Sequence, residues 1–184
     1  MSRTSAQSRT PWTDVTSLII LTGDRGIGKS TICRRVVALA QSAGWSCGGI
    51  ITLSRGDARD VLDVGSGDVR RLTQSPDTAR TVDQGRFRFN PRVLRWAGQR
   101  LHQATPCDLL VIDEIGPLEL ERGKGWANAL DVLAGGGFGL ALVVVRPELV
   151  ARARAQLPNY APVVFSATRE NRDQLPATLV SALG

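Results

Sequence analysis

The stretch Val15–Thr31, VTSLIILTGDRGIGKST, decides the fold. Val15 to Thr22 is apolar and β-branched, which predicts a strand buried on both faces. It runs directly into Gly23-Asp24-Arg25-Gly26-Ile27-Gly28-Lys29-Ser30-Thr31, which satisfies G-x-x-x-x-G-K-[ST] at Gly23, Gly28, Lys29 and Ser30. Each residue type has a chemical reason. Glycines let the backbone curl until several N–H groups converge on phosphate oxygens. The helix that follows adds its positive N-terminal end. Lys29 is expected to reach the β- and γ-phosphates, and the Ser30 hydroxyl to bind Mg²⁺. At this composition the pattern arises by chance in roughly 0.3% of chains of this length, so Gly23–Thr31 is read as a nucleotide-binding loop.

Working outward, Ile32, Val36, Leu39, Ala40 and Ala43 fall on one side of a helix that Gly44 terminates. Cys47–Leu53 reads as a second strand. Arg59–Val64 and Asp68–Leu72, joined by Gly65-Ser66-Gly67, read as a hairpin. Gly85–Phe89 alternates like a strand, and Asn90-Pro91 caps a helix through Val93, Leu94, Ala97 and Leu101. Asp108–Asp113 is a third long apolar strand, and Trp126, Leu130 and Leu133 fit a short helix closed by Gly135-Gly136-Gly137. Phe138–Val145 is a fourth buried strand, followed by a helix from Pro147 to Leu157. Ala161–Phe165 is a fifth strand, and Arg169–Leu183 a closing helix kinked at Pro176. This alternation predicts an α/β fold: a mostly parallel sheet of five or more strands, helices on both faces, and a small β-hairpin insertion. Residues 1–14 are expected to form a disordered tail, 15–184 a single P-loop domain, and 54–90 its β-rich insertion.

Composition agrees with one soluble domain: 184 residues, 42% hydrophobic and 22% charged. No apolar run approaches the ~20 residues of a membrane helix. The first residues lack the apolar stretch of a signal peptide, so a cytoplasmic protein is expected. Cys33, Cys47 and Cys107 are scattered and odd in number, which suits free thiols in a reducing compartment. His102 and Cys107 are too few for a zinc site. The net charge is +6, but only two of 23 basic residues are lysines, Lys29 and Lys124. Arginine fills the remaining basic positions, so the charge is weak evidence for nucleic acid, while a compact ammonium is placed in the phosphate loop.

Asp113 and Glu114 emerge where the apolar strand Leu109-Leu110-Val111-Ile112 ends. In a parallel sheet that end faces the ligand crevice. Asp113 is the candidate Mg²⁺ partner beside Ser30, and Glu114 the candidate base that takes a proton from, or orients, the attacking water. Lys29 and Asp113 lie 84 positions apart, room for at least one strand between their two strands. That arrangement, with Glu after Asp, suits P-loop proteins that activate water with glutamate.

The segments GDRGIGKST, CGGIIT, VIDEIGPLEL and TRENRD together resemble the small P-loop nucleoside-triphosphatases of the cancer-related nucleoside-triphosphatase type. The resemblance covers about residues 17 to 184, and Asp113–Leu120 is its most specific part. It implies a RecA-like core and Mg²⁺-dependent hydrolysis of ATP, GTP and other nucleoside triphosphates to the diphosphate, with loose base preference. The family's phosphate loop falls on Gly23–Thr31, its acidic pair on Asp113 and Glu114, and a further acid on Glu119, to which a supporting role is implied. After the second strand the chain departs from the family pattern, with Arg55 the nearest match to the family's arginine.

An arginine is needed to neutralise charge as the γ-phosphate leaves. Arg146, at the end of the fourth strand, is the leading candidate. Arg122, Lys124, Arg169 and Arg172 are the others, and Arg25 lies in the loop itself. Trp45, Trp126 and Tyr160 are candidates to stack on a base, with packing the favoured reading for both tryptophans. Competing functions are a regulatory GTPase, a small-molecule or nucleotide kinase and a nucleic-acid-dependent ATPase. Against the GTPase, the N-K-x-D guanine reader is absent. For the kinase, Asp57 and Asp60 lie near an acceptor position. The basic stripe Arg70, Arg71, Arg86, Arg88, Arg92 and Arg95 is too sparsely interleaved with aromatics to favour nucleic acid. The protein partner is left open.

Overall fold

A computed structural model describes residues 17–74, 82–84, 87–116, 119–120, 126 and 128–181. The expected N-terminal tail, Gly85, Arg86, Arg122 and Lys124 lie outside the described residues.

In chain order the elements are β1 (Ser17–Thr22), α1 (Lys29–Ser42), β2 (Cys47–Arg55), β3 (Ala58–Asp63), β4 (Val69–Arg71), β5 (Val82–Gln84), β6 (Phe87–Phe89), α2 (Pro91–His102), β7 (Cys107–Ile115), α3 (Ala129–Gly135), β8 (Phe138–Val145), a 3₁₀ turn Pro147–Leu149, α4 (Val150–Gln156), β9 (Val163–Ser166) and α5 (Leu175–Val180). The main sheet has seven strands in the order β4-β3-β2-β7-β8-β1-β9. The five strands from β2 to β9 in that order are parallel. The strand β3 adds antiparallel to β2, and β4 antiparallel to β3. The predicted hairpin thus extends one edge of the central sheet, while β5 and β6 form a separate two-stranded ribbon.

Burial on both faces explains the continuous apolar strands. Leu18 and Ile20 join a cluster with Val93, Ala97 and Leu101 of α2 and Leu133 of α3. Their neighbours Ile19 and Leu21 point the other way, into a cluster with Ile32, Val36 and Ala40 of α1 and Leu179 of α5. The period-two alternation of each strand feeds two cores at once. Asn90 caps α2 as expected, its side-chain oxygen accepting from Arg92 N at 2.9 Å. The helix α1 stops at Gly44, where Trp45 N–H turns back to Ala40 O at 2.9 Å.

Two sequence readings are corrected. Leu39 and Ala43 are exposed, and the buried face of α1 is carried instead by Ile32, Cys33, Val36, Val37 and Ala40. The closing helix is short: residues 169–174 form turns, and Pro176 sits in the first turn of α5 rather than kinking a longer helix. A proline there lacks only an N–H that the first turn leaves unpaired.

One contact in the sheet is unusually intolerant. Gly49 of β2 has φ +113°, and a Cβ built there would stand 1.9 Å from Val111 O of β7. Gly49→Ala is therefore expected to move the β2–β7 pair apart. The substitution should abolish a cooperative thermal transition or lower Tm by well over 10 °C, an outcome in line with a destabilisation of ~4 kcal/mol or more. A transition matching the parent's would contradict this packing.

Candidate active site

The parallel pairings place three strand ends on one edge of the sheet. β8 lies between β1 and β7, with Leu21 level with Val144 and Ile112 level with Val143. The expected strand between the phosphate loop and the acidic strand is therefore β8. Register slips between Ile112 and Ile115, so that one extra residue of β7 faces β8. A bulge of this kind re-aims side chains, and here it falls on Asp113 and Glu114. The Asp113–Glu114 peptide bond is cis.

The loop between β1 and α1 curls as its glycines allow. Gly23, Gly26 and Gly28 have φ of +136°, +79° and +106°, where a side chain would be strained. Ile27 N–H donates to Asp24 O at 3.3 Å and Ile32 N–H to Gly28 O at 2.9 Å. The Lys29 ammonium folds back into the loop, donating to Gly23 O at 2.6 Å and Asp24 O at 2.9 Å. These carbonyls hold the positive charge inside the loop. Gly23 also packs closely on Ala167 after β9, where a Cβ would meet Ala167 O at 2.6 Å. Arg25 and Thr31 are exposed, and both line the crevice.

Across from the loop, Asp113 is 3% exposed. Its carboxylate accepts from the Ser30 hydroxyl and, at 3.3 Å, from Thr52 N–H. Thr52 Oγ1 donates to Asp113 O at 2.9 Å, which ties the β2 end to the acidic strand. Burial, aided by the charge of Glu114, raises the Asp113 carboxyl to about 7 against the opposing bond from Ser30. Glu114 is half-buried and accepts from Arg146 Nε just past the end of β8. Burial alone would loosen the Arg146 proton, but the Glu114 carboxylate holds it more tightly than usual. Glu119 is buried and accepts from Gly116 N–H at 2.8 Å and Trp126 N–H at 2.9 Å, bracing the chain beyond β7. Burial raises its carboxyl above the ordinary range despite these two donors.

Ser30 and Asp113 together offer only oxygen donors, the set that suits a small hard cation sharing its remaining positions with phosphate and water. No cluster of three His, Cys, Asp or Glu that could hold a metal occurs among the described residues.

A sequence profile described as NTPase matches residues 18–180. The chain belongs to the NTPase family. As an enzyme of that family it is a hydrolase. A nucleoside-triphosphatase THEP1 from Methanothermobacter thermautotrophicus is 31% identical over 173 residues, covering 90% of this chain and 95% of that protein. Another from Methanopyrus kandleri is 29% identical over 166 residues, covering 85% and 89%. In fold, the solution structure of a human cancer-related nucleoside triphosphatase superposes with a TM-score of 0.69 at 24% identity, covering 91% of this chain and 97% of that one. The crystal structure of THEP1 from Aquifex aeolicus gives 0.63 at 20% identity, covering 90% and 98%.

Within this NTPase several sequence candidates fall elsewhere. Tyr160 donates its hydroxyl to Leu133 O at 2.6 Å and stacks on Phe138, so its ring packs rather than receiving a base. Trp45 packs against the core; Trp126, by contrast, lines the crevice, 5% exposed beside Glu119. Arg169 and Arg172 are exposed and absent from the described lining of the crevice. Asn171 is used within its turn, accepting from Thr168 N–H and donating to Ser166 O. Asp60 is buried and ion-paired with Arg55 and Arg71, and is absent from the described lining of the crevice. Sequence reasoning missed Thr52, whose alternation within β2 gave no sign that it would reach Asp113 sixty-one positions away.

A carboxyl raised to about 7 opposes folding when it is charged. The penalty is full above pH 7 and fades toward pH 4, where the carboxyl is protonated in the folded chain and about half so in the unfolded one. Asp113→Asn should therefore raise the Tm of the ligand-free protein at pH 8, on the order of several °C, and have little effect at pH 4. Equal shifts at both pH values would contradict the burial of this charge.

Proposed function

We propose that the enzyme is a Mg²⁺-dependent nucleoside-triphosphate phosphohydrolase, converting NTP and water to NDP and phosphate with loose base preference, ATP and GTP included. The observation that carries this reading is the contact of Ser30 with Asp113, which joins a phosphate-binding loop to a buried carboxylate beside Glu114. The names of the THEP1 relatives support the substrate class.

In this proposal the loop N–H groups and the α1 N-terminus hold the phosphate chain. Lys29 leaves the Gly23 and Asp24 carbonyls for the β- and γ-phosphate oxygens, exchanging neutral acceptors for charged ones. Ser30 and Asp113 are the residues that would hold Mg²⁺, which when bound supplies positive charge against the developing negative charge of the transferring group. Glu114 orients the attacking water and takes its proton at a carboxylate oxygen. Arg146, held beside Glu114, is placed to neutralise charge as the γ-phosphoryl departs. Asn171 lies where a guanine reader would be sought but is spent on its own turn, which favours loose base preference over a regulatory GTPase. High thiol pKa values, about 11 for Cys47 and about 12 for Cys107, from burial first, fit quiet thiols in a cytoplasmic protein.

A panel of ATP, GTP, CTP and UTP assayed for phosphate and nucleotide products tests the reaction. Similar turnover with diphosphate as product is expected; turnover confined to GTP would return the GTPase reading. Lys29→Ala should lose measurable turnover. Glu114→Gln should keep nucleotide affinity while slowing turnover roughly 10²–10³-fold. A Glu114→Gln enzyme as fast as the parent would remove Glu114 from the mechanism.

A further inference from the structure

The crevice is larger than a phosphate chain requires. Its volume is about 1230 Å³, above the ~300–1,000 Å³ of ordinary small-molecule pockets. It has two chemically different ends. One is the loop with Asp113 and Glu114. The other lies beyond Thr52, among Arg55, Arg59, Leu72, Phe87, Phe89 and Leu94.

The far end pairs an apolar floor with planar groups and positive charge. Leu72 is 1% exposed and Phe89 is 7% exposed, so the floor is firmly packed. The Phe87 and Phe89 rings are nearly parallel, 11° apart in plane, with centroids 6.3 Å apart. The Arg59 guanidinium lies over Phe87 at 4.4 Å from the ring centroid. Its NH1 also donates to Gly56 O and Ala58 O, which fixes the plane of the guanidinium in the wall. Arg55 adds a second guanidinium, anchored on Asp60 at 3.0 Å, and Arg34 of α1 lines the same cavity. A guanidinium and two phenyl rings layered together continue naturally onto another flat ring, and the arginines complement a negative group on it.

We propose that this end of the crevice is a separate compartment for a small aromatic anion, which binds together with the nucleoside triphosphate. The inference rests on the proposed function only for the direction of the triphosphate. Ser30 and Asp113 mark the γ-phosphate end, and β2, with the compartment behind it, lies beyond β7 on that side. On that reading the nucleoside leaves on the opposite side, toward β9. The compartment is thus distinct from the space a base would fill.

The test is a fluorescence titration of the full chain with 8-anilinonaphthalene-1-sulfonate, an aromatic anion, without and with saturating Mg²⁺ and adenylyl-imidodiphosphate. Calorimetry measures binding of the nucleotide analogue in parallel. Saturable binding of one dye per chain is expected, with an affinity that the analogue changes by less than about threefold, since the two ligands hold different contacts. Phe87→Leu removes the ring and Leu94→Trp fills the space. Each should weaken the dye by about tenfold, the contribution of one stacked aromatic, and leave the analogue's affinity unchanged. Displacement of the dye by the analogue, or parent-like dye binding by both variants, overturns the compartment. Failure of the analogue to bind in calorimetry counts against the proposed function instead, and the two variants still decide the dye site.

Discussion

Everything at the crevice depends on the contact between the Ser30 hydroxyl and the buried Asp113 carboxylate. The two residues lie far apart in the chain, and only the parallel order β7-β8-β1 brings the start of α1 and the end of β7 to one edge. The apolar runs of those strands supply the energy that keeps the order, since each side chain is removed from water on one face or the other. The cost falls on Asp113, a charge held in an apolar sheet with one hydroxyl and one long backbone contact to satisfy it. Sites that concentrate perturbed carboxylates in a cleft are where chemistry is expected.

Around that contact the charges are organised in layers. Lys29 is parked on two carbonyls, Arg146 on Glu114, and Glu119 on two backbone N–H groups. Each interaction is local and directional, made by a side chain rather than by the strand edge and its bulge.

The sequence made the phosphate loop legible because its chemistry needs particular residues at fixed spacing, and Lys29 stood out against an arginine-rich background. The parallel strands were legible because two-sided burial demands continuous apolar runs. Asp113 and Glu114 were visible as acids closing such a run. What escaped the sequence depends on pairing between distant segments. Nothing local says that Thr52 ties down Asp113, that Tyr160 spends its hydroxyl on Leu133, or that Asp60 is consumed by two arginines. The face of α1 was misjudged because Leu39 is apolar yet lies at the rim of the buried stripe, while Cys33 behaves as a small hydrophobe inside it. The extent of the last helix was misjudged because Pro176 fits a first turn as well as a kink.

The central claim is that Gly23–Thr31 and Asp113 together receive a metal-bound triphosphate. A crystal structure of the chain with Mg²⁺ and adenylyl-imidodiphosphate tests it most directly. The account predicts the Lys29 ammonium moved from the Gly23 and Asp24 carbonyls onto β- and γ-phosphate oxygens, with Ser30 and Asp113 facing the cation. A triphosphate bound elsewhere, with Lys29 still on those carbonyls, would contradict it.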